Sequence, residues 1–424
     1  MATIPQQRFV LDHEHETSVL QGNTEFELLL ACCAGLQPHC QKKLKHLLTR
    51  QHDFVALLNL AREHRVIPHA YRFFNAYPEL LSSGDLAMLR HSYEENTRRA
   101  LRLTGELLRL LRNFEAHGIK AIPYKGPVLA KTLYGEVSGR QFFDLDILVS
   151  PKDVGAAKAA LGQLGYFPEI NLAPREQASF VASGYECSFC GPAGPHTVEL
   201  KWRILPRFYS VEFDTETLFS RAKQVSLGGH SLQTLCVEDL LLVLCVHAAK
   251  HMWAQISWLC DIAELARSPE IEWQTTCERA ERLGITRIVG VSLLLAQTLL
   301  GSVPPISMEE WCRKDAKIKT LNEQISRMIS AGRAYDTDSA AYFNFMLQLR
   351  ERWRDKVRFV MRLVWTPSMG EWSAMRVSER LSFMYRIVRL ARLGKKMLGR
   401  YGSEASFVKA PSGTERSDVL IWHP

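Results

Sequence analysis

The stretch Phe142-Phe143-Asp144-Leu145-Asp146-Ile147-Leu148-Val149 decides how the middle of this chain is read. It predicts a strand, because apolar, aromatic and β-branched residues run through it with two acids spaced by two. Strand alternation puts Asp144 and Asp146 on one face and Leu145, Ile147 and Val149 on the other. Two carboxylates on an otherwise apolar strand carry a desolvation cost unless something compensates them. A divalent cation does this well, since Mg²⁺ takes hard oxygen ligands. Two such ions, roughly 3.5–4 Å apart, clamp an in-line phosphoryl or nucleotidyl displacement. The competing reading of a bare Asp-x-Asp is a solvated strand end with two incidental acids.

Upstream of this stretch, Ile119 to Tyr124 reads as a short strand, Pro127 to Tyr134 as a short helix and Gly135 to Arg140 as a loop. Between the first strand and the helix lies Lys125-Gly126-Pro127. Glycine lets backbone approach a phosphate and proline suits the first helical position. The backbone N–H groups that follow would face an anion, and Lys125 adds a point charge. Arg140 offers a fork to phosphate or a partner for an aspartate. Downstream, Asp153 to Leu164 reads as a helix stopped by Gly165. Strands Tyr185 to Cys190 and Thr197 to Ile204 follow, joined by the turn-rich Gly-Pro-Ala-Gly-Pro-His. In the last strand Glu199 and Lys201 share a face, so Glu199 is a candidate third carboxylate. The β-α-β-α-β-β order predicts an α+β or α/β core over residues 119–206.

Helical patterns flank this core. Residues 1–118 repeat apolar positions at helical spacing in Phe26 to Leu36, in Leu47 to Leu60 and from Leu86 onward. The run Asp85 to His117 lacks proline and ends at Gly118, a good C-terminal stop. From Val237 the expected helices are Val237–His251, Trp258–Ala266, Trp273–Leu283, Ile285–Leu300 and Met308–Ser330, with Pro304-Pro305 as a break and a basic amphipathic helix around Ser378 to Leu398. The expected division is therefore 1–118 helical, 119–206 core, 207–400 helical and 401–424 a loose tail. The fold class is α+β, a small mixed-sheet core between two helical regions.

With 424 residues, 46% hydrophobic and 23% charged, the chain can bury a sizeable core, which excludes wholesale disorder. Its most apolar run, Leu240 to Val246, falls well short of the roughly 20 residues a membrane span needs. The start, MATIPQQRFVLDHEHE, has no apolar signal-like region, so a cytoplasmic location is expected. Ten cysteines, several in apolar helical runs such as Cys245 and Cys260, fit a reducing compartment. The lone pair Cys187 and Cys190 falls on opposite faces of a strand, against a zinc site. The net charge is +8, yet residues 351–400 alone hold 13 Arg or Lys and four Asp or Glu, a net +9. An anionic partner, nucleic acid or lipid, is one reading of that segment. A solvated amphipathic face on the protein body is the favoured one.

The run IKAIPYKGPVLAKTLYGEVSGRQFFDLDILV resembles the nucleotidyltransferase superfamily of the DNA polymerase β type. More closely it resembles a largely uncharacterised bacterial nucleotidyltransferase family with a Lys-Gly, Tyr, Arg, Asp-x-Asp pattern. The stretches VELKWRI, LCVHAAKHMWAQISWLCDIAEL, WTPSMGEWSAM and FMYRIVRLARL resemble later parts of that family, so the likeness runs from about Phe26 to Leu398. It implies that Asp144, Asp146 and Glu199 hold Mg²⁺ or Mn²⁺, with Glu199 preparing the attacking hydroxyl. It also implies that Lys125 and Gly126 receive the triphosphate of a nucleoside triphosphate, ATP being the expected one, with an acceptor of unknown identity as the partner. Arg140 and Lys201 are the further cofactor-binding candidates. Lys201 stands where the family usually has histidine, which puts a cation beside the third acid.

His247 and His251, at i and i+4, share a helix face. The run His-Ala-Ala-Lys-His lacks the glutamate of a zinc-protease motif. These histidines with Trp253, Trp258 and Asp261 either line a substrate pocket or form a packed helix junction. The function expected is a metal-dependent nucleotidyltransferase. The alternatives are a catalytically weak nucleotide-binding protein on the same fold and a helical nucleic-acid adaptor led by the basic segment.

Overall fold

The computed structural model describes residues 24–35, 47, 53–170, 174–191, 194–302, 304, 306–335, 339–365 and 407–409. The starting segment, the expected helix at Ser378 to Leu398, the proline break at 304–305 and most of the tail lie wholly or partly outside these residues.

At the centre is a five-stranded mixed sheet: β1 (Ala121–Pro123), β2 (Asp144–Val149), β3 (Phe167–Pro168), β4 (Glu186–Gly191) and β5 (Gly194–Lys201), in the order β1-β2-β5-β4-β3. Only β2 and β5 run parallel; the other pairs are antiparallel. A parallel pair needs a long crossover, here supplied by a helix at Val154–Gln163, β3, a helix at Pro174–Ser183 and β4. The chain is thus a mixed helix-and-sheet protein, as the element order predicts. The alternation of β2 is obeyed. Leu145, Ile147 and Val149 enter one core with Cys187, Phe189, Val198 and Leu200. Leu148, on the acidic face, enters a second core made with the flanking helices.

The N-terminal side contributes α1 (Thr24–Cys33), α2 (Phe54–Glu63), α3 (Ile67–Ala76) and α4 (Ser83–Ala116). In α4, Leu89, Asn96, Ala100, Leu103, Leu107, Leu110 and Phe114 recur at helical spacing and are buried. Ser82 caps it by accepting from the Asp85 N–H at 3.1 Å, and Gly118 ends it with φ +68°. After the sheet's first strand comes α5 (Gly126–Tyr134). The short helices at 154–163, 174–183 and 215–220 are α6, α7 and α8. A hairpin, β6 (Lys223–Leu227) and β7 (His230–Thr234), follows, and the Thr234 hydroxyl donates to the Pro123 carbonyl at 2.9 Å.

The C-terminal side holds α9 (Val237–Lys250), α10 (Ile256–Ala266), α11 (Trp273–Leu283), α12 (Thr286–Leu300), α13 (Met308–Lys314), α14 (Lys317–Ser330), α15 (Ala340–Gln348) and α16 (Trp353–Trp365). The expected single helix Met308–Ser330 is two. It breaks at Asp315, which leaves helical geometry at φ −141°, accepts the Lys317 N–H and pairs with Arg287 at 2.6 Å. Helices of both flanks share one hydrophobic core, in which Phe26, Leu29 and Phe74 lie with Leu241, Ile262 and Val289. Among the described residues no helix is long and apolar enough to cross a membrane.

Candidate active site

The sheet's acidic face looks across at α9, and the site lies between them. Register fixes it: Asp146 on β2 sits opposite Glu199 on β5, and Lys201 on β5 sits opposite Leu148 on one side and Glu186 on the other. Asp146 is 3% exposed. Lys125 Nζ lies 3.5 Å from its Oδ2 and Lys201 Nζ 3.3 Å from its Oδ1, yet Oδ1 has no hydrogen-bond partner. Lys201, equally buried, lies 2.6 Å from Glu199 Oε2 and donates to the Glu186 carboxylate.

These contacts set the charge states. Burial pulls the Lys201 ammonium down, but Glu186, Glu199 and Asp146 outweigh it and hold it well above the ordinary lysine value. Burial pushes Glu199 and Glu186 up, and Lys201 reverses this, leaving both below the usual carboxylate range. Asp144 differs. Burial first, then the charges of Asp146 and Glu199, raise it to about 6, against a smaller pull from Arg65 and Lys125. It is the acid whose charge the protein compensates least.

The turn before α5 is built as the sequence predicts. Gly126 has φ +57°, and a Cβ there would meet the Asp144 carbonyl oxygen at 3.3 Å, so a side chain is disfavoured on both counts. No side chain caps the helix, and Pro127 stands in its first turn. Lys125 points from this turn into the cleft, reaching Asp146 and His247 Nδ1, the latter at 3.1 Å.

His247 and His251 form the opposite wall. Their rings lie 4.9 Å apart, each 5.3 Å from the Trp258 ring. Burial, then Lys125 for His247 and Lys250 for His251, hold both well below the ordinary histidine value, so both are neutral at pH 7. Trp253 is not on this wall. After α9 the chain turns left-handed at Met252 and Trp253, and the indole enters the core, donating to the Ser292 hydroxyl at 3.0 Å. Asp261 and Arg140 are also spent on each other. Arg140 Nε donates to both Asp261 oxygens at 2.9 and 3.1 Å, and the Tyr134 hydroxyl donates to Oδ1 at 2.9 Å. Of the two roles open to Arg140, the observed one is pairing with an aspartate.

Three groups of the cleft escape a reading of the sequence. Glu186 follows from alternation in β4, which buries Cys187 and Phe189 and turns Glu186 to the acidic face. Lys250 donates to the Tyr185 hydroxyl at 3.3 Å and sits one helical turn from His247. Arg65, left-handed at φ 57° between α2 and α3, has no sequence signal.

Residues 50–301 match the model of a family described as uncharacterised nucleotidyltransferase. The chain belongs to this family. The matched part holds the whole sheet, the Lys125-Gly126 turn and the α9–α10 wall of the cleft. The resembling stretches WTPSMGEWSAM and FMYRIVRLARL lie beyond it and, apart from Trp365, outside the described residues. No curated protein and no solved structure matches the chain.

The fit of a divalent ion to this site can be tested on its donors. Asp144 is short of counter-charge and Asp146 Oδ1 is without a hydrogen bond. These two fit one hard cation. Glu199 Oε2 is in contact with Lys201 Nζ at 2.6 Å. Among the described residues no three His, Cys, Asp or Glu side chains converge on one metal position.

Proposed function

We propose that this chain is a metal-dependent nucleotidyltransferase of the DNA polymerase β-type superfamily, moving a nucleoside monophosphate from a nucleoside triphosphate to an acceptor hydroxyl. The observation that carries the reading is the pair Asp144 and Asp146 on one buried strand face, with Asp144 left undercompensated beside an uncapped helix start. Asp144 and Asp146 would hold Mg²⁺. The bound ion supplies Lewis-acid charge for a phosphoryl oxygen in flight.

The protein's own groups do the rest. Lys125 and the first free N–H groups of α5 receive the phosphates. Lys201 fixes the Glu199 carboxylate beside Asp146, where it accepts the acceptor's hydroxyl proton. Neutral His247 and His251 with Trp258 offer ring faces and imidazole nitrogens to the acceptor or the base, without adding charge beside Lys125 and Lys250. The attacking oxygen bonds to the α-phosphorus and pyrophosphate leaves.

The test is pyrophosphate release from nucleoside triphosphates with Mg²⁺ and a metabolite pool, comparing wild type with Asp144→Asn/Asp146→Asn. The expected loss is about 1,000-fold or more, in line with removing about 4 kcal/mol of transition-state stabilisation. Equal release by both proteins sinks the mechanism. A second reading, a nucleotide-binding protein with little catalysis, is favoured by the ion pair that occupies Glu199. Nucleotide binding by calorimetry without Mg²⁺ dependence or turnover decides for it.

A further inference from the structure

We infer that the Lys201 ammonium is a resident cation standing in the second metal position of the acidic cleft, so that the chain binds a single divalent ion, on Asp144 and Asp146. The inference rests on the metal-dependent reading of this site.

Its basis is geometric. Lys201 follows Glu199 by two residues on the central strand β5 and so projects from the same face. The register brings it level with Glu186 on β4 and one pair beyond the Asp146–Glu199 pair. An ammonium has three N–H donors and no acceptor. Here Nζ meets three carboxylates: Glu186, Glu199 at 2.6 Å and Asp146 at 3.3 Å. Asp146 and Glu199 are the oxygen donors that a second ion would need beside the first.

The side chain is also held in place. Lys201 is 5% exposed, with the Tyr185 ring 5.7 Å from Nζ, and the Lys250 ammonium stands on the same ring from the α9 side at 5.1 Å. Swinging Lys201 out would leave buried Asp146 with Lys125 alone and strip half-buried Glu186 and Glu199 of the ammonium they share, a costly change. A divalent ion on Glu199 would instead lie against an ammonium already in contact with that oxygen, and like charges repel strongly where water is scarce. Asp144 has no such tenant: it makes no ion pair among the described residues, while Asp146, shared between the two ends, lies 3.3 Å from Lys201 and 3.5 Å from Lys125 with its Oδ1 free of any hydrogen bond. The cleft therefore has one metal end, at Asp144, and one lysine end, at Glu199 and Glu186. Lys201 acts as a positioning residue. It fixes Glu199 and supplies a permanent positive charge where an exchangeable one would otherwise enter.

The experiment counts bound Mn²⁺ by electron paramagnetic resonance and equilibrium dialysis on the full chain, with and without a non-hydrolysable triphosphate analogue. Wild type and Lys201→Arg are expected to bind one ion per chain, and Lys201→Met two. The double variant Glu186→Gln/Lys201→Met removes one acid with the one ammonium and serves where the single variant does not fold, which circular dichroism shows. Two ions in wild type, or an unchanged count in a folded Lys201→Met or double variant, overturns this inference alone. No ion in any of the proteins overturns it together with the metal-dependent reading.

Discussion

Two buried ion clusters in this protein use the same side chains to opposite ends. Arg140 and Asp261 close on each other: one guanidinium meets one carboxylate, and Tyr134 donates to the same carboxylate. Asn96 adds a bond from α4 to the Arg140 carbonyl at 3.4 Å. Nothing in that cluster asks for a further partner, and its effect is to fasten the loop before β2 to α10. The acidic cleft does not balance in this way. Of its four carboxylates, Asp146, Glu186 and Glu199 are ion-paired with Lys125 or Lys201, whereas Asp144 makes no ion pair among the described residues and feels Arg65 and Lys125 only as a smaller pull. Burial of charge alone does not separate the two clusters; the carboxylate left without an ion pair does.

The comparison can be broken most forcefully at Asp261. Asp261→Ala leaves Arg140 buried without its partner and is expected to cost about 3–5 kcal/mol in urea unfolding. A loss below about 1 kcal/mol would mean that the closed cluster fastens little. Asp144→Asn should act in the other direction. The folded state raises Asp144 from 3.8 to about 6, so it takes up a proton more readily than the unfolded chain. The stability contributed by its neutral form is complete below about pH 4 and is lost as pH rises through 6. Asn mimics the neutral form. At pH ~7.5 without divalent ions the variant should therefore exceed wild type by about 3 kcal/mol, the difference closing toward pH ~4. Unfolding curves at both pH values check this, and a variant less stable than wild type at the higher pH refutes it.

A smaller effect sharpens the contrast. Mg²⁺ at ten times its dissociation constant should stabilise wild type by about 1.4 kcal/mol. It should leave Asp144→Asn/Asp146→Asn unmoved, as read by thermal melting. The smallest expectation is a control on the surface. Glu94→Ala, which removes an exposed pair with Arg98 at 3.5 Å, should change stability by no more than about 0.5 kcal/mol.

Much of this was legible in the chain because it rests on local period. The alternation around Asp144 and Asp146, the stop at Gly118 and the turn at Lys125-Gly126 each depend on a few adjacent residues, and the structure reproduces them. Glu199 beside Asp146 required only that the last strand lie in the same sheet. What escaped depends on register and distance. Glu186 meets Lys201 because β4 pairs with β5 across a bulge at Cys190 and Gly191, which no spacing announces. Trp253 looked like a neighbour of His251 and is turned into the core by two left-handed residues. The hairpin at 223–234 carries a local cue in the sequence. Gly228 and Gly229, at φ +57° and +78°, join Leu227 to its partner His230 in a two-residue loop, for which Gly-Gly between two apolar-polar runs is a strong cue.

The single parallel pairing in the sheet has a consequence for how the protein comes into being. A hairpin can form as soon as its own residues exist, whereas β2 and β5 can pair only after the whole crossover between them has been made. During synthesis, then, Asp144 and Asp146 emerge early as two acids on a strand that has only β1 to pair with, and neither Lys201 nor Glu199 is yet in the chain. The His247 and His251 wall comes later still, and the Arg140 clasp must wait for Asp261. A ribosome-bound chain that stops short of β5 holds both aspartates and has no cleft, so the site gains its walls one after another toward the C-terminus and is closed only when α10 arrives.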